Sequence, residues 1–372
     1  MPISFLRPLR TPCCFLTLLT ALTTVATAPP VYAGNLTYAG INLSGGEFSP
    51  SQKPGVLYKD YIYPSPSDYA YFAQKGMNTV RLPVLWERIQ PTLNDELDAT
   101  QLSLILKAVE QAKANKLFVV LDIHNYGQHN DALIGSDKVP ISAFADLWKR
   151  LSLHFANDKS VICGLMNEPH EITSTDWVQA AQAAINAIRS TGANNLVLVP
   201  GTAYSTAQSW NGTYYGTPNA EALLKIHDPA GNLAFEVHQY LDEDSSGTKD
   251  ECTSTTAGAE KLSAFTDWLR KYHKMGFLGE FAAGNNDTCN QALEGMLSYI
   301  EQNKDVWLGW TSWVSNPWFG PDYPFNLHPN DDGTDKPQMT ILEPHARKIT
   351  KIKNTSTNIK NNQSNVIQPI RK

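Results

Sequence analysis

Short apolar runs bounded by turn residues alternate with longer segments of helical period about eight times along this chain. The runs cover residues 38–42, 79–83, 117–122, 161–166, 196–200, 234–237, 276–280 and 306–313. They are apolar on both faces, as strands covered by helices on both sides of a sheet must be. Between them, residues 99–114, 141–155, 176–189, 258–274 and 291–303 repeat apolar positions at helical spacing. Such βα alternation gives a parallel sheet, either open and doubly wound or closed into a (β/α)8 TIM barrel. No glycine-rich phosphate fingerprint follows the first run, and the count of eight favours the barrel. Residues 202–232 and 241–256 lack periodicity and are expected to be loop insertions over the C-terminal face of a single α/β domain.

The two ends fall outside this pattern. Arg7 and Arg10 precede an apolar-leaning run at 14–26 and the small-residue pattern Val31-Tyr32-Ala33. Residues 1–33 are therefore expected to be a secretory signal peptide, cleaved before Gly34. That run is too short and too rich in threonine to span a bilayer, and no later stretch approaches the roughly 20 apolar residues a spanning helix needs. The expected product is secreted, extracellular or periplasmic, with no membrane association. Residues 34–346 are assigned to the barrel and 347–372 to a basic, polar tail expected to be disordered.

Charge narrows the ligand. The whole chain carries −6; losing the two signal arginines takes it to −8, and the tail holds seven Lys/Arg and no acid, leaving about −15 on the barrel. A nucleic-acid partner is excluded on that balance, and a neutral substrate fits better. Of the cysteines, Cys13 and Cys14 leave with the signal. Cys252 and Cys289 lie in polar surroundings and are expected to pair, whereas Cys163 sits in an apolar run and reads as a buried thiol. No Cys/His spacing resembles a zinc site, and no metal or organic cofactor is expected. A monomer is expected.

Polar and ionisable residues crowd the C-terminal ends of the predicted strands, where barrel enzymes build their sites. Arg81 follows the second strand, Asp122 with His124-Asn125-Tyr126 the third, Asn167-Glu168-Pro169 the fourth, His238-Gln239-Tyr240 the sixth, Glu280 the seventh and Trp313 the eighth. Two strand-end glutamates facing each other across a barrel suit glycosidic cleavage, one protonating the leaving oxygen and the other attacking the anomeric carbon. Arg81 can keep one carboxylate charged, and Tyr240 can donate to it. Asn167 can reach a sugar 2-hydroxyl, and Trp313 offers a flat face to a sugar ring. Asp122 and Glu236 read as supports. Trp177, Trp268 and Trp307 fall where packing explains them, while Trp86, Trp210 and Trp318 stay open as stacking surfaces. Six Asn-x-Ser/Thr sequons occur, at Asn35, Asn42, Asn211, Asn286, Asn354 and Asn362.

These motifs closely resemble glycoside hydrolase family 5, and especially its secreted microbial endo-β-1,4-glucanases. The resemblance runs through Arg81-Leu82-Pro83, Leu121-Asp122-Ile123-His124-Asn125-Tyr126-Gly127, Leu165-Met166-Asn167-Glu168-Pro169, His238-Gln239-Tyr240-Leu241-Asp242, Gly279-Glu280-Phe281 and Trp310-Thr311-Ser312-Trp313. It implies Glu168 as acid/base and Glu280 as nucleophile of a retaining endo-β-1,4-glucanase. It also implies substrate contacts from Arg81, His124, Asn167, His238, Tyr240 and Trp313, and supports the Cys252–Cys289 bridge. Asn125 joins the candidates by position. Where similar enzymes place a tryptophan after the fifth strand, this chain has Thr202-Ala203-Tyr204, so Tyr204 is the substitute platform. The same scaffold also permits a β-mannanase, a mixed-linkage glucanase, or a barrel that binds carbohydrate without turnover.

Overall fold

The computed structural model describes Met1 and residues 36–320 and 322–349. The predicted signal peptide and the tail beyond residue 349 lie outside the described residues. Eight parallel strands close into a barrel, each paired with its sequence neighbours, and the last with the first. They are β1 (Tyr38–Leu43), β2 (Thr79–Val84), β3 (Phe118–Ile123), β4 (Val161–Gly164), β5 (Val197–Pro200), β6 (Leu233–His238), β7 (Gly276–Glu280) and β8 (Trp307–Ser315). The expected (β/α)8 architecture is the observed one.

The outer helices are α1 (Pro66–Gln74), α2 (Ala99–Ala114), α3 (Ile141–Phe155), α4 (Ser174–Ser190), α5 (Ala257–Lys271) and α6 (Asp287–Gln302). Their starts are chemically marked. Asp98 caps α2 by accepting from the Gln101 amide, Thr173 caps α4 through Asp176, and Asn286 caps α6 through Cys289. Each such cap is worth about 1 kcal/mol. Several boundaries differ from the sequence reading, among them α5, which ends at Lys271 and not at residue 274, and two of the differences have a clear cause. Helix α6 starts four residues earlier than the period suggested, because Asp287 to Asn290 follow a cap and form its polar first turn. A last helix over residues 339–349 runs three residues into the assigned tail, because Ile349 is buried and Arg347 bonds to the Gln74 carbonyl.

The connection from β5 to β6 has no long helix, only single turns such as Asn219–Ala222. It and the loop 241–256 stand at the strand C-termini, as expected of insertions. The Cys252–Cys289 disulfide ties that second loop to α6. Cys163 is free and buried, and burial pushes its thiol up to about 12.

Inside the barrel, side chains alternate inward and outward along each strand. The bottom is closed by an apolar layer of Tyr38, Val120, Ile162, Leu198, Ala234, Phe277 and Leu308. The outward residues join a larger core beneath the helices, which takes in Trp86, Trp177, Trp210, Trp268 and Trp307. Trp86 and Trp210 are thus packing residues, whereas Trp318 is exposed, 6.4 Å from the Phe48 ring. Asn42 is also buried and donates to the Gly279 and Ser312 carbonyls, so its sequon is closed to modification.

Candidate active site

One layer above the apolar floor, the barrel interior becomes charged. Arg81 points inward from β2 with no exposure and donates from all three guanidinium nitrogens. Nε donates to Glu236 Oε1 (3.0 Å), Nη1 to Glu280 Oε1 (2.7 Å) and Asn42 Oδ1 (3.0 Å), and Nη2 to Asn167 Oδ1 (2.9 Å). Asp122 lies 3.2 Å from Nη1. Only arginine offers this many directed donors from one rigid fork. Gly279 shows how tightly the layer is built: a Cβ there would lie 2.0 Å from Glu236 Oε1.

Glu280 ends β7, buried, and its second oxygen accepts from Tyr240 Oη at 2.9 Å. Burial raises its pKa, the cations His238 and Arg81 oppose that, and Glu168 adds to it. Burial likewise carries the Tyr240 hydroxyl far above its ordinary range, with Glu280 and Glu168 reinforcing the shift, so it remains a donor.

Glu168 is more open, with its side chain 17% exposed, and sits just beyond β4 in a left-handed conformation (φ 42°). That is costly for a non-glycine residue followed by proline, and such strain survives only where neighbours enforce it. Here they do. The Glu168 carbonyl lies 3.1 Å from His170 Nδ1, the Pro169 carbonyl accepts from the Tyr204 amide, and the His170 amide donates to the Tyr126 carbonyl. The His170 ring stacks on Tyr204 at 4.4 Å and meets Tyr126 edge-on at 5.6 Å.

His238 links the two glutamates. Nδ1 is 2.8 Å from Glu168 Oε1 and 3.6 Å from Glu280 Oε2, and Nε2 is 3.4 Å from Glu236 Oε1. Burial alone would depress its pKa, but Glu280, Glu168 and Glu236 together raise it to about 10. His124 is the counterpart on β3's side. Its Nδ1 meets Asp122 Oδ2 at 2.7 Å, its ring stacks on Trp313 at 5.9 Å, and Asp122 overrides burial to raise its pKa.

Glu168, His238 and Glu280 each bring one ligand-capable atom within 4.8 Å of the others, a spacing a cation could use.

Two of the cavities at this end of the barrel border the site. One, of about 600 Å³, is lined by Glu168, Tyr204, Tyr214, Tyr215, His238 and Tyr240. The other, of about 790 Å³, is lined by Glu47, His124, Asn125, Tyr126, His170 and Trp313, among others. The candidate site residues at the strand ends, and Tyr204, are therefore at or beneath the cleft, whereas Trp86 and Trp210 are not. Asn125 is there but committed elsewhere: its Oδ1 accepts from the Trp86 amide (2.7 Å) and its Nδ2 donates to Glu87 (2.6 Å).

Sequence reasoning missed His170 and Glu47. Glu47 follows β1 in the Gly45-Gly46-Glu47 turn and accepts from the Ser44 hydroxyl and the Gly45 amide (2.7 Å for the amide). Burial raises its pKa, with His124 opposing. The strand-end rule applied to β1 finds this residue; His170 carries no comparable signal.

A parallel barrel with two glutamates meeting across Arg81, His238 and Tyr240 at its C-terminal end has the arrangement of a barrel glycoside hydrolase. Residues 35–316 match the model for Cellulase (glycosyl hydrolase family 5), and the chain belongs to that family. It is 35% identical to endo-beta-1,4-glucanase B of Emericella nidulans over 82% of this chain and 90% of that one. An endo-beta-1,4-glucanase of Xanthomonas axonopodis pv. citri is 56% identical, covers 85% of this chain and all of its own, and superposes with a TM-score of 0.84. XacCel5A, solved in complex with cellopentaose, is 59% identical over 83% of this chain and 99% of its own, with a TM-score of 0.82.

Proposed function

We propose that this protein is a retaining endo-β-1,4-glucanase that cleaves internal bonds of cellulose or related β-glucans by double displacement. The observation that carries the retaining mechanism is the closeness of the two carboxylates: an oxygen of Glu168 and one of Glu280 lie within 4.8 Å. Retaining enzymes hold their carboxyl groups roughly 5–5.5 Å apart, whereas inverting ones need roughly 6.5–9.5 Å to seat a water between them. The relatives named for this activity supply the substrate class.

In this reading Glu280 attacks the anomeric carbon, and Arg81 and Tyr240 hold its carboxylate in place. Glu168 protonates the departing oxygen and then removes a proton from the incoming water. Asn167 accepts from Arg81 through Oδ1, which leaves its amide hydrogens for a sugar hydroxyl. His124 and Trp313 present a stacked wall to the sugar undergoing cleavage, and Tyr204, 47% exposed, offers a platform in the cavity that Glu168 lines. Secretion fits the Cys252–Cys289 bridge, which persists in oxidising compartments, with residues 1–33 as the signal peptide.

The test sets carboxymethylcellulose, mixed-linkage glucan, glucomannan and mannan side by side, following viscosity and reducing ends, with proton NMR of the first product anomer. Rapid viscosity loss on the cellulose derivative with β-anomer formed first is expected. A preference for mannan would replace the substrate, and α-anomer formed first would replace the mechanism.

A further inference from the structure

Glu236 is a fully buried carboxylate under the two proposed catalytic glutamates, with no direct part in the double displacement. Its Oε1 accepts from Arg81 Nε at 3.0 Å and faces His238 Nε2 at 3.4 Å, while its Oε2 has no hydrogen-bond partner among the described residues. A buried carboxylate with an unsatisfied oxygen costs free energy that a leucine or methionine there would not. The barrel also makes room for it, since any side chain at Gly279 would collide with it. Packing alone does not explain the group.

His238 supplies the reason. With Nε2 facing a carboxylate, that nitrogen carries a proton, which leaves Nδ1 opposite Glu168 Oε1 at 2.8 Å and Glu280 Oε2 at 3.6 Å. A hydrogen bond between Nδ1 and Oε1 needs one proton between them, whichever atom holds it. We propose that Glu236 is a positioning residue for acid–base catalysis: it fixes the Nε2–H of His238 and, by its charge beneath the ring, keeps one transferable proton on the Glu168–His238 pair.

This rests on Glu168 being the acid/base. In the first step the proton leaves the pair for the glycosidic oxygen as the C1–O bond breaks and a Glu280 oxygen bonds to C1. In the second, water bonds to C1, the ester bond to Glu280 breaks, and the proton that water loses returns to the pair. One proton goes out and one comes back.

The groups facing His238 set the sign. Glu168 from the end of β4, Glu280 from β7, Glu236 from its own strand and Asp122 from β3 are carboxylates, and Arg81 from β2 is the cation among them. Two proton-sharing groups titrate as a unit, so removing one nearby anion lowers the pH at which the pair gives up its proton.

The experiment compares the wild-type protein with Glu236→Gln and Glu236→Asp on 4-nitrophenyl and 2,4-dinitrophenyl cellobioside across pH. In Glu236→Gln the alkaline limb of kcat/KM for the 4-nitrophenyl substrate is expected to move down by about one pH unit. Activity on that substrate should fall roughly tenfold more than on the dinitrophenyl one, whose leaving group needs little protonation. Glu236→Asp, which keeps the charge, should recover most of both effects. Equal losses on the two substrates with an unmoved limb would overturn the proposal. Nitrogen-15 NMR of wild-type His238 tests it without any variant: both ring nitrogens protonated at pH 7 is expected, and a bare Nε2 would refute it. A wild-type chain inactive on both substrates would count against the functional reading, and the nitrogen spectrum would still decide the proton on His238.

Discussion

Val120 and Asp122 lie two residues apart on β3, and Ala234 and Glu236 two apart on β6; in each pair the first residue closes the apolar floor and the second enters the charged layer. Both layers have inward side chains from the same strands, and both are almost fully buried. The floor is stabilised by removing apolar surface from water. The upper layer is a set of charges that destabilises the fold unless each is paired, and Arg81 does most of that pairing. A barrel can thus concentrate stability and chemistry at separate heights of one interior, so substitutions a few ångströms apart should have unlike consequences.

The strongest way to break this division is Glu280→Ala. Its kcat on carboxymethylcellulose should fall roughly 10⁴-fold or more, with the unfolding midpoint shifting by only a few degrees; a large loss of stability with activity retained would erase the contrast. The opposite case is Phe277→Ala on the floor of the same strand. It should cost roughly 3–5 kcal/mol in denaturant unfolding, with kcat at low temperature within about threefold of wild type. Tyr240→Phe removes one donor to Glu280 Oε2 (2.9 Å) and should lower kcat roughly tenfold, with little effect on folding.

The charged layer also makes stability depend on pH. His238 holds its proton up to about 10 in the folded chain, whereas an unfolded histidine releases it near 6.5. The folded state therefore binds more protons than the unfolded one across that window, so this contribution is complete below pH about 6.5 and declines as pH rises toward about 10. Calorimetry of wild type and His238→Gln should show the alkaline decline flattened in the variant; identical slopes would mean His238 is neutral when folded.

How much of this was legible depended on whether the signal was local. Strands such as Thr79–Val84 and helices such as Ala99–Ala114 stand out because their period reports burial directly. Helix α1 is not among the periodic segments although Ser65, Pro66 and Asp68 spell a capped start, with Asp68 Oδ2 accepting from the Ser65 amide at 2.7 Å. At 9 residues it is too short for a helical period to be read, which takes a window of about 11–18 residues. In the site, Arg81, His124, Asn167, Glu168, His238, Tyr240, Glu280 and Trp313 could be picked out because the barrel gathers its strand ends. Glu236 looked like a support because its own strand gives no hint that Gly279 across the sheet leaves space for a carboxylate. His170 was invisible for a related reason: its stack on Tyr204 joins two loops, and no local pattern encodes a contact between loops.

The central claim, that Glu280 is the nucleophile and Glu168 its acid/base partner, is most directly tested by trapping. Wild-type protein would be incubated with 2,4-dinitrophenyl 2-deoxy-2-fluoro-cellobioside, digested and sequenced by mass spectrometry. The account predicts a single fluorocellobiosyl group esterified to Glu280, with inactivation that follows its accumulation; a label on Glu168, or turnover without any covalent adduct, would contradict it.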